Sequence, residues 1–258
     1  MSWLWMLVGT YLLYAAVMVM VHPRIIYPFG ADAFENPAFR QEVVSDRDVS
    51  IAISEGADDL AVLFFMGNGG SLAYFTYALE AHQTADRTVA ALEYRGGAGI
   101  AGRPSEAGLK ADALAAYDWL AAQHEGPIAV HGFSLGTGLA IHVAARRDVA
   151  AILLDAPYPT LCALMTKGSY LPACYLPFVQ KWRSLDDVPA LNAPVLVQHG
   201  TADQLIPIGY GMELADAMKA VDLSVTFHGV EGATHNNLAG QSGYQDRINA
   251  FLTGLTKE

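Results

Sequence analysis

Charge is scarce in this sequence. Asp, Glu, Lys and Arg make up 16% of the 258 residues, against the ~25% usual for soluble domains, while 53% are hydrophobic. Only 15 residues are Lys or Arg against 26 Asp or Glu, a formal net charge of −11. That balance argues against nucleic acid as a partner, because phosphate binding needs clustered cations. The acids are scattered and read as a solvated surface. Cysteine is nearly missing: Cys162 and Cys174 are too few for a disulfide scaffold. Neither CxxC nor HExxH occurs, so no metal is expected. Repeats and low-complexity tracts are absent as well.

What is present first is a long uncharged run. Residues 3–21, WLWMLVGTYLLYAAVMVMV, carry no charge. As a helix this run is about 28 Å long, close to the ~30 Å hydrocarbon core of a bilayer. A cleaved signal peptide would want a basic start, a shorter apolar core and a small-residue exit. Here no Lys or Arg precedes Arg24, and the run continues through Met18, Val19 and Met20. It is apolar on all faces, unlike a surface helix. Residues 1–22 therefore read as an uncleaved N-terminal membrane anchor, followed by a Pro/Gly-punctuated connector, PRIIYPFGADAF.

From residue 23 to 258 short apolar runs alternate with helix-like segments. VSIAIS (49–54), LAVLFFM (60–66), TVAALEY (88–94), PIAVHGF (127–133), VAAILLD (149–155), APVLVQH (193–199) and SVTFHGV (224–230) read as strands. Helices are expected over SLAYFTYALEAH, SEAGLKADALAAYDWLAAQ with Ser105 as N-cap, TGLAIHVAARR, MELADAMKA and YQDRINAFLTGL. Nearly continuous apolar strands with helices between them indicate a mostly parallel sheet covered on both faces. Residues 157–190 break the pattern. They hold five prolines, among them Pro159, Pro172, Pro177 and Pro189, and both cysteines, too long a stretch for an ordinary loop, and read as an inserted lid.

One stretch carries chemistry: VHGFSLGTG, residues 130–138. GxSxG alone is weak, since about one chain in ten of this length would contain it by chance. Here a strand delivers Ser134 and a helix follows at once, the context of a strained turn that exposes a nucleophilic hydroxyl. A serine needs a base to take its proton, and the base needs an acid to hold its tautomer. Asp203 follows the strand APVLVQH and His235 follows SVTFHGV, so Ser134, Asp203 and His235 come in the order that this architecture uses. Asp155, one strand earlier, is the rival acid. Donors for an oxyanion are expected from the backbone N–H groups of Leu135, after the nucleophile, and Asn68, in the loop MGNGGS (66–71). His131, His199 and His228 read as structural, and Tyr94, Arg95 and Gly96 as shaping the floor of the site. Tyr158, Tyr170, Tyr175 and Phe178 either line an acyl pocket or pack the lid.

In combination, MGNGG, EYRGGAGIAGRPSEAGL, GFSLG, HGTADQLIP and GATHNN resemble the α/β-hydrolase superfamily. The sequence is similar in particular to its small membrane-anchored branch, which includes eukaryotic protein depalmitoylases and many bacterial members. The resemblance covers most of residues 23–256. It implies the α/β-hydrolase fold and a serine hydrolase that cleaves carboxylic esters or thioesters through an acyl-enzyme. Ser134 would attack, His235 act as base then acid, and Asp203 orient His235, with no cofactor. Met66 departs from the pattern, standing where the family usually has His, and the lid shows little resemblance. An amidase or peptidase with the same triad, and a silent membrane adaptor, are the alternative readings. The expected partners are an acyl ester or thioester substrate and a lipid bilayer, through residues 1–22; the sequence specifies no oligomeric state. Cys162 and Cys174, separated by 11 residues within the lid, either form a disulfide, which persists only in an oxidising compartment, or pack unpaired as small hydrophobes. Arg24 votes weakly for the cytoplasm. The balance leans to an extracytoplasmic domain with the two cysteines paired.

Overall fold

The computed structural model describes residues 2–44 and 48–255. Its first element, α1 (Ser2–Ile26), is a 25-residue helix long and apolar enough to cross a membrane, with mean hydropathy 2.0 over its most apolar window and none of that window buried. It runs four residues further than the anchor read from the sequence, through Pro23. Proline cannot donate to the Val19 carbonyl four residues back. The ring of His22 fills the gap, its Nδ1–H donating to that carbonyl at 2.7 Å, so the helix survives its proline.

The strands are β1 (Arg40–Val44), β2 (Val49–Ser54), β3 (Ala61–Phe65), β4 (Thr88–Glu93), β5 (Ile128–Phe133), β6 (Ala151–Asp155), β7 (Val195–Gly200) and β8 (Val225–Val230). They form one sheet in the order β1-β2-β4-β3-β5-β6-β7-β8. Pairing is parallel from β4 through β8, while β1 and β2 run antiparallel at one edge. Strand β1 went unread because RQEVV is short, half charged and largely exposed. The interior strands are fully buried, which is why they read as unbroken apolar runs.

The helices are α2 (Thr76–Gln83), α3 (Glu106–Ala121), α4 (Leu135–Ala144), α5 (Leu161–Ser169), α6 (Ile208–Lys219) and α7 (Tyr244–Leu255). The step β3–α2–β4 moves one way along the sheet and β4–α3–β5 the other, so right-handed crossovers place α2 and α3 on opposite faces. Helix α7 packs beside α2 and α4 beside α3. Ser105 caps α3 by accepting from the Gly108 N–H at 3.1 Å. The expected helix over 71–82 opens instead as a 3-10 turn, Leu72–Phe75, before α2.

Between β6 and β7 lies the segment that the sequence marked as a lid. It contains α5, which its prolines and cysteines had masked, and a disulfide between Cys162 and Cys174. This segment and α1 are tied together. Tyr14 Oη donates to the Ser169 carbonyl at 2.9 Å, and the Gln180 N–H donates to His22 Nε2 at 3.1 Å. Tyr27 Oη bonds Gln180 Oε1 at 2.5 Å and accepts from Trp182 Nε1 at 3.0 Å. Tyr158 is fully buried, but Tyr170, Tyr175 and Phe178 neither line a pocket nor pack the lid: each is close to nine-tenths exposed.

Candidate active site

The turn between β5 and α4 holds Ser134 at φ 51°, ψ −115°, a backbone conformation that costs a non-glycine residue of order 1–3 kcal/mol. The flanking glycines make it possible. A Cβ on Gly132 would stand 2.4 Å from the Gly136 carbonyl oxygen, and one on Gly136 would stand 2.0 Å from the Phe65 carbonyl oxygen. The strain is held by close packing of the turn against β3, and by the Ser134 N–H donating to the Asp155 carbonyl at 2.8 Å.

Ser134 Oγ lies 2.9 Å from His235 Nε2, and His235 Nδ1 lies 2.7 Å from Asp203 Oδ2. All three residues are buried to within a few per cent. The other Asp203 oxygen accepts the backbone N–H groups of Leu205 and Ile206, at 2.9 and 2.8 Å. Burial pushes this carboxyl up, but hydrogen bonds from His199, His235 and Ile206 outweigh it, so the group sits well below the usual carboxylate range. The anionic carboxylate fixes His235 with its proton on Nδ1, leaving the Nε2 lone pair towards the serine. The ring of Phe133 stands edge-on to His235, with centroids 5.3 Å apart.

Asp155 is elsewhere. It accepts from His131 Nε2 at 3.1 Å, from Gln198 Nε2 at 3.3 Å and from the Tyr244 hydroxyl, and His131 in turn meets His82 at 2.9 Å. The structure thus puts Asp203, and not Asp155, on His235. His131 and His199 are both fully buried in hydrogen-bond networks, and His228 lies half-buried in the edge strand β8.

Asn68 and Leu135 border the same cavity as Ser134. The loop bearing Asn68 is braced by Tyr94, whose buried hydroxyl donates to the Met66 carbonyl at 2.6 Å. The cavity is about 680 Å³, within the range of small-molecule sites, and its walls are mainly apolar. Residues that sequence reasoning missed stand here: Met18, Val19 and His22 from α1, Leu164 and Met165 from α5, and Leu205 and Ile206 after β7. Apolar side chains of a long, uniformly apolar helix give no signal that they also line a pocket. Among the described residues no group of three or more His, Cys, Asp or Glu side chains is placed to hold a metal.

The chain as a whole is similar to known proteins. The model of the dienelactone hydrolase family matches residues 98–250. An uncharacterized protein of Mycobacterium tuberculosis is 32% identical over 247 residues, covering 89% of this chain and 86% of that one. The alpha/beta hydrolase domain-containing protein aho-3 of Caenorhabditis elegans is 30% identical over 197 residues, 74% of this chain but 57% of that one. Among solved structures, an esterase of Pyrococcus furiosus superposes with a TM-score of 0.71 at 20% identity, covering 86% of this chain and 94% of that one, a likeness of fold. The chain belongs to the dienelactone hydrolase family and is an α/β-hydrolase.

Proposed function

We propose that this protein is a serine hydrolase of carboxylic esters or thioesters, held at a membrane by α1. The observation that carries the reading is the unbroken chain of hydrogen bonds from Ser134 through His235 to Asp203, at the edge of an apolar cavity. His235 Nε2 takes the Ser134 proton as Oγ attacks the carbonyl carbon. The carbonyl oxygen becomes an oxyanion, held by the N–H groups of Leu135, at the start of α4, and Asn68. Collapse expels the alcohol or thiol, which leaves with the proton from His235. A water then enters, gives a proton to the same nitrogen, attacks the acyl-enzyme and releases the acid as Ser134 recovers its proton. Asp203 stays ionised throughout and stabilises the imidazolium.

Residues 1–22 are the proposed anchor and 23–258 the proposed catalytic domain, with 157–190 as its lid. The Cys162–Cys174 bond supports an extracytoplasmic domain, since such bonds persist in oxidising compartments. The test is labelling by a fluorophosphonate probe together with turnover of p-nitrophenyl esters and an acyl thioester. Labelled wild type and unlabelled Ser134→Ala are expected; a wild-type protein that neither reacts nor turns over any ester is an adaptor, and the reading fails.

A further inference from the structure

We infer that α1 is a wall of the acyl-binding site as well as a tether, and that the cavity takes a long acyl chain directly from the leaflet in which α1 lies. This inference rests on the hydrolase reading above.

The cavity that reaches Ser134 is closed on one side by α1, through Met18, Val19, His22 and Ile26, and on the other by the lid. The α1 wall is fixed in place. Val19 packs with Cys162, Ala173 and Val179 beside the disulfide. His22 is fully committed, giving Nδ1–H to the Val19 carbonyl and accepting the Gln180 N–H at Nε2. Without the helix the cavity would be an open apolar trough.

Over residues 170–179 the lid is apolar on both of its sides. Leu171, Leu176 and Val179 face the cavity, while the neighbouring Tyr170, Tyr175 and Phe178 point outward and are 88–89% exposed. Tyr170 and Phe178 hold positive φ of 58° and 64°, turns that throw these rings to the outside. A water-facing lid would carry polar residues there; outward aromatics next to an apolar helix fit a membrane interface. Depth gives the same answer. Helix α1 is hydrogen-bonded to the lid at Tyr11 and Tyr14 and flanks the cavity as far as Ile26. Only Ser2–Thr10 extends freely, about 14 Å of helix against a ~30 Å hydrocarbon core. A leaflet that takes up α1 therefore also meets the lid and the cavity between them. An ester group at the headgroup level, with its chain drawn sideways between α1 and α5, can then reach Ser134 without crossing water.

The test uses the full-length enzyme in phosphatidylcholine vesicles, with p-nitrophenyl butyrate and p-nitrophenyl palmitate. Val19→Trp fills the wall and is expected to lower the palmitate-to-butyrate ratio of kcat/KM at least tenfold. Met18→Phe, a gentler change, should lower it in the same direction. Leu12→Trp, at an exposed position of the helix that does not line the cavity, should leave the ratio at the wild-type value. Ratios are compared among variants that the fluorophosphonate probe still labels. Diluting the palmitate ester with inert lipid at fixed bulk concentration should slow turnover in proportion to its mole fraction in the bilayer. Presenting the palmitoyl chain on a glycerolipid or on a cysteine thioester peptide tells which carrier supplies it. An unchanged ratio in the labelled wall variants, or a rate blind to surface dilution, overturns the inference. So does loss of labelling in both wall variants while Leu12→Trp is labelled, which would make α1 a brace only. A wild-type enzyme inert to butyrate and probe alike would instead defeat the hydrolase reading.

Discussion

His199 gives its Nε2–H to the Ile206 carbonyl at 2.7 Å and stands 3.5 Å from the Asp203 oxygen that receives His235. Two histidines thus face one carboxylate, one at the end of β7 and one after β8. Among the described residues the buried Nδ1 of His199 has no hydrogen-bond partner, and the residue against it is Gly211. A Cβ there would lie 2.3 Å from Nδ1, closer than any real contact. Gly211→Ala should therefore displace the ring and, through it, Asp203. We expect a loss of about 1–3 kcal/mol of stability and a fall in kcat/KM, read by thermal unfolding and ester turnover. A fully stable and fully active variant would show that His199 does not position the acid.

The relay itself makes sharper demands. Ser134→Ala should abolish turnover and labelling without loss of fold, and it should relieve nothing of the backbone strain, since alanine is equally disfavoured at φ 51°. Asp203→Asn should cost about 10⁴ in kcat by allowing the wrong imidazole tautomer. Asp155→Asn should act differently. It disturbs His131, Gln198 and Tyr244 in the buried interior and is expected to cost about 1–3 kcal/mol of stability with less than tenfold effect on kcat. The reverse pattern between the two aspartates would reassign the acid.

Both of these contrasts were open to different degrees in the sequence. Ser134, Asp203 and His235 could be picked out because each ends a strand of strong apolar character, and strand ends at one edge of a parallel sheet converge in space. Ser105 announced α3 by the same local logic. The antiparallel edge strand β1 could not be read, because RQEVV is stabilised by pairing with β2 and not by burying a continuous apolar run. Helix α5 was hidden for a related reason: it is short and draws its order from the disulfide and from α1. The double duty of Met18 and Val19 was invisible because an apolar side chain facing lipid and one facing a cavity satisfy the same sequence pattern.

Acid stability should report the Asp203 environment. Its carboxyl is depressed in the folded state, so it contributes stability above the ordinary Asp value of about 4 and loses it as pH falls below that value towards the folded one. Asp203→Asn lacks this contribution. The gap in Tm between wild type and Asp203→Asn should persist down to about pH 4 and shrink below it, with His199 and His235 the groups facing the carboxylate. A gap that stays constant from pH 6 to pH 3 would mean that the carboxylate gains nothing from its neighbours.

The disulfide offers the last prediction, and it bears on which side of the membrane the domain occupies. Cys162 and Cys174 close a loop with a sequence separation of 12, inside the lid segment that Val19 packs against. In the chain-entropy model a bond across so short a loop contributes roughly 2–3 kcal/mol. Reduction should therefore loosen the lid first, lowering turnover of long-chain esters before the sheet unfolds. A Cys162→Ser/Cys174→Ser variant should behave like the reduced enzyme and lose all sensitivity to thiols. Thiol-rich compartments would keep such a pair reduced, so the state of the bond in material taken straight from the membrane is diagnostic. Alkylation without prior reduction, read by mass, should find no modified cysteine. Two alkylated cysteines in freshly isolated protein would remove the case for an extracytoplasmic domain and leave Arg24 as the better guide to its orientation.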